Sequence, residues 1–167
     1  KSCIEVINEK KEYKIFGILD NSNNLEGKTL NNYKILGSDR LLDILSKKIS
    51  AAIITVGQIH SYVPRKKLFL LLKKYKFNLP VIKSSTALVS KNAVISAGTI
   101  VMQQTIVNSN TTIGLNCIIN NKALLEHDVV VGDHCHISTG VIVNGGCKIG
   151  DNTFIGSGSI IANNVKI

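Results

Sequence analysis

From Val89 to the end of the chain every sixth position is aliphatic: Val89, Ile95, Val101, Val107, Ile113, Ile119, Leu125, Val131, Ile137, Val143, Ile149, Ile155, Ile161 and Ile167. Two residues before each stands a small or β-branched one, in the series Ala87, Ala93, Thr99, Thr105, Thr111, Cys117, Ala123, Val129, Cys135, Val141, Cys147, Thr153, Ser159 and Val165. A period of six is three pleated steps of two, so both registers point to one side and each hexad is a short strand plus a corner. Three hexads close a triangular coil of about 18 residues, and successive coils pair as parallel strands roughly 4.8 Å apart. Self-similarity at so short a period predicts a parallel β-helix. Gly114, Gly132, Gly150 and Gly156, with Asn108, Asn120 and Asn144, follow the aliphatic position. The pattern places a corner there, with backbone angles that glycine and asparagine tolerate.

The residues before the repeat follow a different pattern. Ser2–Lys10 reads as a helix, Tyr13–Asp20 as a strand, and Ser38–Lys48 as an amphipathic helix with Leu41, Leu42, Ile44 and Leu45 inward. Ala51–Val56 reads as a strand, Tyr62–Tyr75 as a helix that accommodates Pro64 in its first turn, and Leu79–Ile82 as a short closing strand. This alternation predicts a small parallel sheet of the doubly wound type. The chain thus divides into a Rossmann-like α/β subdomain over 1–82 and a β-helix over 83–167, with Lys83–Thr86 as the connection. It opens inside a helix, with no preceding strand or glycine-rich turn, and stops in mid-coil, so both ends read as cut. The missing first strand and loop would be the natural phosphate-binding element of such a domain. What remains of that edge is Asp20 and Asn21, in Ile18-Leu19-Asp20-Asn21-Ser22, and Gly57 after the third strand. Asp20 reads either as a ribose or base contact or as an ordinary strand-terminating turn acid.

Composition narrows this picture. No apolar run approaches the roughly 18 residues of a membrane span and no signal peptide opens the chain, which points to a cytoplasmic protein. The net charge is +9, carried by lysines at Lys10–Lys14, at Lys47 and Lys48, and in Arg65–Lys76, on what read as polar helix faces. These are solvated faces or a field that attracts phosphorylated ligands. They carry no nucleic-acid reader motif and no row of stacking aromatics. The cysteines Cys3, Cys117, Cys135 and Cys147 have neither metal-site nor secreted-framework spacing. Cys117 and Cys135 lie one coil apart in the inward register, where buried thiols are expected in preference to a disulfide.

Candidate chemistry concentrates in one tract, Glu126-His127-Asp128-Val129-Val130-Val131-Gly132-Asp133-His134-Cys135-His136, which holds three of the four histidines. His127 falls at a corner, so its imidazole projects away from the core. The flanking Asp128 can fix its tautomer and raise its basicity, as a general base working near neutrality requires. The plain alternative is an exposed histidine among acids. Gly145 lies 18 residues after His127 and so stacks one coil away, followed by Gly146, and its accessible N–H could meet a developing oxyanion. His136 opens the next strand with its side chain outward, on a neighbouring face or at a subunit boundary. Flat outer faces and exposed corners also suit assembly about a symmetry axis, with a cleft completed by an adjacent subunit.

Four segments carry a resemblance: Glu126-His127-Asp128, Val131-Gly132-Asp133, His136-Ile137-Ser138, and Ile149-Gly150-Asp151-Asn152-Thr153-Phe154-Ile155-Gly156, joined to the opening helix, strand and Asp20 and to Ile35-Leu36-Gly37. Together they resemble the hexapeptide-repeat sugar acetyltransferases of the sialic-acid and bacillosamine type. The resemblance implies a left-handed β-helix, a homotrimer, acetyl-CoA as cosubstrate without a metal, and a first domain that holds a nucleotide-linked sugar in polysaccharide biosynthesis. Carried onto this chain, it implies that His127 is the general base and Asp128 its acid partner. His136, Gly145 and Ser157 would contact acetyl-CoA, with Asp20, Asn21 and Gly57 at the sugar-nucleotide site. The implied reaction is direct N-acetylation of a nucleotide-linked 4-amino sugar; O-acetylation of sialic acid or another sugar is the alternative. A non-catalytic scaffold and a metal-dependent hydratase built on Asp133-His134-Cys135-His136 are the remote ones, the second opposed by alternation that turns Cys135 inward and its neighbours outward.

Overall fold

The hexad rule becomes architecture from Ile82 onward. The computed structural model describes residues 1–22 and 24–167, and within it the repeat forms a triangular prism of two-residue strands. The first face stacks Ile82–Lys83, Ile100–Val101, Ile118–Ile119, His136–Ile137 and Phe154–Ile155; the second runs from Leu88–Val89 to Ile160–Ile161 and the third from Val94–Ile95 to Lys148–Ile149. All pairs are parallel, with a register of one coil, so that Ile118 lies between Ile100 and His136. Main-chain bonds such as Ile100 N to Cys117 O, 2.9 Å, recur at each step. The expected closing strand therefore belongs to the prism: Ile82–Lys83 pairs with Ile100–Val101.

Both inward registers form the core. Val101, Val107, Ile113, Ile119, Leu125, Val131, Ile137, Val143 and Ile149 line the axis, with Cys117, Ala123, Val129, Cys135, Val141 and Cys147 beside them. The small register also satisfies the corners. Thr99, Thr105 and Thr111 donate their hydroxyls to the carbonyls of Gly114, Asn120 and Glu126 at 2.8, 3.0 and 2.7 Å. Cys117, Cys135 and Cys147 donate their thiols to Gly132, Gly150 and Ala162 in the same way, at 3.1, 3.0 and 2.9 Å. A buried carbonyl left without a donor costs about 1–3 kcal/mol, which accounts for hydroxyls and thiols in a core position. The four cysteines are free.

The corner rule needs a correction. The left-handed residues of the prism are Gln104, Asn110, Asn116, Lys122, Asp128, His134, Asn152 and Asn164, with glycines such as Gly140 and Gly146, three positions after the aliphatic ones. Gly114 and Gly132 have ordinary backbone angles and are glycine for lack of space: a Cβ on Gly132 would lie 2.8 Å from Asp151 N and 3.0 Å from Gly150 C.

The N-terminal residues depart further from expectation. Helix α1 spans Ser2–Lys10 as read. Strand β1 shrinks to Ile18–Leu19, and a hairpin absent from the sequence reading, β2 (Thr29–Leu30) and β3 (Tyr33–Gly37), turns at Asn31-Asn32 with both φ angles positive. The sheet is mixed, ordered β1-β3-β2, with β1 parallel and β2 antiparallel to β3. A 3-10 turn at Asp39–Leu41 leads into α2 (Leu42–Ser46), where Leu42 is buried but Ile44, expected inward, is 53% exposed. Helix α3 covers Val63–Lys74 with Pro64 in its first turn. Ala51–Val56 makes a single bridge, Ala51 to Asn78, instead of a strand. Two of its carbonyls are taken by Arg65: Nη1 donates to Ile54 O at 2.7 Å and to Val56 O at 2.9 Å.

Arg65 departs from both readings of the basic stretch, a solvated face and a field that attracts phosphorylated ligands. Its side chain is fully buried, burial lowers its pKa to about 10, and Nε donates to Asn116 O in the prism at 3.1 Å. With Val6 and Ile7 of α1 packed on Ile82 and Ile100, it seats the N-terminal residues on the prism's first face.

Candidate active site

Glu126-His127-Asp128 forms the corner between the second and third faces, after Leu124–Leu125 and before Val130–Val131. Asp128 is left-handed, φ 60°, and its N–H donates to Ser109 O at 3.0 Å. This geometry turns its carboxylate back toward the preceding residue, so that His127 Nδ1 lies 2.8 Å from Asp128 Oδ2. Because a carboxylate only accepts, Nδ1 carries the proton and Nε2 presents its lone pair outward. Asn110 Nδ2 donates to the other oxygen, Oδ1, at 3.1 Å. The hydrogen bond from His127, then that from Asn110, hold the Asp128 carboxyl below the usual carboxylate range. Both side chains stay open, 63% and 55% exposed.

Gly145 lies against this imidazole. A Cβ there would stand 2.7 Å from His127 Cε1 and 2.8 Å from Nε2, so the position tolerates glycine alone while the ring keeps its place. Gly146, φ +73°, donates its N–H to His127 O at 3.1 Å and locks the two coils together. Among the described residues nothing accepts the Gly145 N–H. A base with an outward lone pair beside an unengaged amide can take a proton and stabilise a neighbouring oxyanion.

His136 lies elsewhere. It opens a strand of the first face, opposite the His127 corner, and points outward as expected, but the N-terminal residues cover it to 6% exposure. Its Nδ1 donates to Gln58 O, Nε2 lies 3.4 Å from Asn120 Nδ2, and Phe154 packs on the ring at 5.2 Å. Burial pushes its pKa down and Arg65 adds to this, against the Gln58 carbonyl, so the ring is neutral at pH 7. Ser157 Oγ lies 2.8 Å from Ser138 Oγ, joining the exposed Ser157 to the strand of His136. Within one chain, therefore, His136 and Ser157 do not meet His127. His134 is buried too, with Nδ1 3.0 Å from Asn116 Nδ2 and Phe69 edge-on at 5.2 Å. Cys135 donates into the prism between these two outward histidines, which keeps the three from converging on one ion.

Asp20 and Asn21 sit at the C-terminal end of β1, beside the end of β3. Asp20 Oδ1 accepts the Ser22 N–H at 2.8 Å, an Asx turn that holds its carboxyl below the ordinary range. Asn21 and Asp39 bond reciprocally, Nδ2 to Oδ2 at 2.6 Å and Asp39 N to Oδ1 at 3.0 Å. Gly57 is exposed, with open space where a Cβ would stand, and among the described residues no hydrogen bond joins these three to the His127 corner. The sequence reading gave Gln58 and Asn110 no role and placed Arg65 only on a polar helix face. Only Asn110 left a signal, lying one coil before Asp128.

No protein-family model matches the chain, and no curated protein matches it in sequence. Solved structures do match. The fold is that of acetyltransferases with stacked parallel-strand repeats, and those repeats fit a left-handed β-helix. The acetyltransferase domain of PglB from Neisseria gonorrhoeae FA1090 superposes with a TM-score of 0.89 at 24% identity, over 99% of this chain and 78% of that one. The same domain in complex with acetyl coenzyme A gives 0.85 at 23%, over 99% and 78%. PerB from Caulobacter crescentus, in complex with CoA and GDP-perosamine, gives 0.79 at 21%, over 99% and 84%.

Proposed function

We propose that this protein is an acetyl-CoA-dependent sugar acetyltransferase that N-acetylates a nucleotide-linked 4-amino sugar by direct transfer. The observation that carries the reading is the His127–Asp128 pair at 2.8 Å, with the imidazole seated against Gly145 at an open corner. His127 Nε2 takes the proton released as the sugar amine attacks the thioester carbonyl, the Gly145 N–H faces the oxyanion, and the thiolate of coenzyme A departs as the amide forms. Asp128 stays ionised and steadies the imidazolium. No covalent enzyme intermediate is required, and hydrogen bonding with Cys135 together with burial raises the Cys117 pKa, leaving it an inert thiol. The molecules bound in the similar structures, acetyl coenzyme A, CoA and GDP-perosamine, support this substrate class.

The site is assembled between copies, in a homotrimer. His127 sits opposite the face that carries His136, and Ser157 lies at another corner, between the first and second faces, so a site using all three takes them from adjacent chains. The second face carries an outward ladder of Leu88, Ile106, Leu124, Ile142 and Ile160, whose ends are 66% and 69% exposed. Such a stripe fits a subunit contact next to the His127 corner. Residues 1–82, as a Rossmann-like domain, would hold the sugar nucleotide with Asp20, Asn21 and Gly57.

Release of free thiol from acetyl-CoA, across UDP-, dTDP- and GDP-linked amino sugars and free sialic acids, tests the reading. One nucleotide amino sugar is expected to drive release, and His127→Ala to lower turnover about 10²- to 10⁴-fold. Near-normal turnover in a folded His127→Ala protein would remove the base from its role, and a free sialic acid as best acceptor would replace N- by O-transfer.

A further inference from the structure

Asp128 faces an unusual mechanical problem. It must hold an imidazole in one tautomer and one plane, yet it is 55% exposed, with little packing to fix its two side-chain torsions. One hydrogen bond to His127 leaves the carboxylate free to rotate about that contact. We propose that Asn110, one coil before it, is a positioning residue: by holding the oxygen that His127 does not use, it fixes the plane of Asp128 and so the direction of His127 Nε2. The proposal rests on the reading of His127 as the base.

The geometry is specific. Asn110 Nδ2 donates to Asp128 Oδ1 at 3.1 Å while Oδ2 faces His127 Nδ1 at 2.8 Å, so the two oxygens are held from opposite sides. Asn110 and Asp128 share the left-handed conformation, φ 59° and 60°, at the same point of successive coils. Their side chains therefore leave the backbone in the same direction, one interstrand spacing apart, the arrangement in which an amide reaches a carboxylate of equal length. Asparagine is among the few non-glycine residues that adopt this conformation readily and still carry a donor.

The arrangement repeats on the other flank of His127. Asn108 Nδ2 donates to Glu126 Oε2 at 2.9 Å, and between the two asparagines Ser109 O takes the Asp128 N–H at 3.0 Å. Asn108-Ser109-Asn110 thus underlies Glu126-His127-Asp128 residue for residue, each acid meeting an amide donor 18 positions earlier. With Gly145 on the opposite side, the histidine is held between a polar platform and a glycine.

Nitrogen-15 NMR of His127 in the full chain at pH 8 tests this without any acceptor. The wild type is expected in the Nδ1–H tautomer. Asn110→Gly, which keeps the left-handed backbone without the amide, is expected to lower that population about twofold or more. Asn110→Asp, close to isosteric but repelling Asp128, should do the same or more, and covers the case in which the glycine variant folds poorly. In an Asp128→Ala background Asn110→Gly should change nothing further, because the effect passes through the carboxylate. A wild-type tautomer ratio in both folded Asn110 variants would overturn the proposal, as would an equal effect with and without Asp128. Undiminished acetyl transfer by His127→Ala would sink the functional reading, independently of the tautomer result.

Discussion

The prism and the N-terminal residues solve the same problem, satisfying buried backbone groups, by opposite means. In the prism each coil satisfies its neighbour through main-chain bonds that recur at every step, and the Thr and Cys register closes the corner carbonyls that remain. Stability there is spread over many equivalent contacts, as expected of a solenoid. Among the described residues, the N-terminal ones have a short mixed sheet and an isolated bridge, Ala51 to Asn78, and they rely on side chains that reach backbone carbonyls, Gln58 Nε2 to His134 O at 2.8 Å and above all Arg65. Arg65 gives three hydrogen bonds to carbonyls of Ile54, Val56 and Asn116. Repetition tolerates local damage, whereas a clamp does not. The neutral His136 lies where the two regions meet, bonded to Gln58 O from the segment that Arg65 fixes.

The largest expected effect follows from that contrast. Arg65→Met should cost about 3–5 kcal/mol, since it strands several buried carbonyls, whereas Ile137→Val on the axis should cost about 0.5–1.5 kcal/mol. Urea midpoints compare them, and equal shifts would break the distinction. Next, within the prism, Gly132→Ala should cost about 1–3 kcal/mol, because its Cβ would enter the backbone of the following coil. Gly140→Ala, left-handed at φ +66° but with nothing within 4 Å, should cost about 1–2 kcal/mol from backbone strain alone. Thermal melts of the pair would show whether space or torsion dominates at the corners; a larger loss at Gly140 would reverse the assignment.

A smaller effect concerns acid. The pKa values of His134 and His136 are both lowered, chiefly by burial, from an ordinary 6.5. The unfolded chain then binds more protons than the folded one just below pH 6.5, so stability is complete above that value and declines as pH falls through the folded-state pKa values. Urea melts between pH 7 and pH 5 should show this decline, and replacing His136 by Gln should flatten it. An unchanged slope in that variant would assign the acid sensitivity to other groups.

Much of the prism was legible because its local rule is also its global rule. A residue's number modulo six tells whether it faces the axis, and adding 18 names its neighbour, so spacing alone places Gly145 beside His127. The glycine corners were misassigned because periodicity locates a small residue without saying whether torsion or space demands it. The hairpin at Thr29–Gly37 was missed although Asn31-Asn32 is a two-residue turn signal, its strands being too short to show alternation.

By itself, the amino-acid order determined the β-helix, its inward registers, the coil spacing and the tract in which His127 and Asp128 are neighbours. These depend on contacts at fixed separations, which a periodic pattern encodes directly. Only the tertiary structure decided that Arg65 is buried, that Gln58 covers His136, and that Asn110 holds the second oxygen of Asp128. The first two depend on how a non-repeating segment docks on the prism. The last depends on side-chain direction at two left-handed residues, and the order of amino acids specifies neither until the chain has folded.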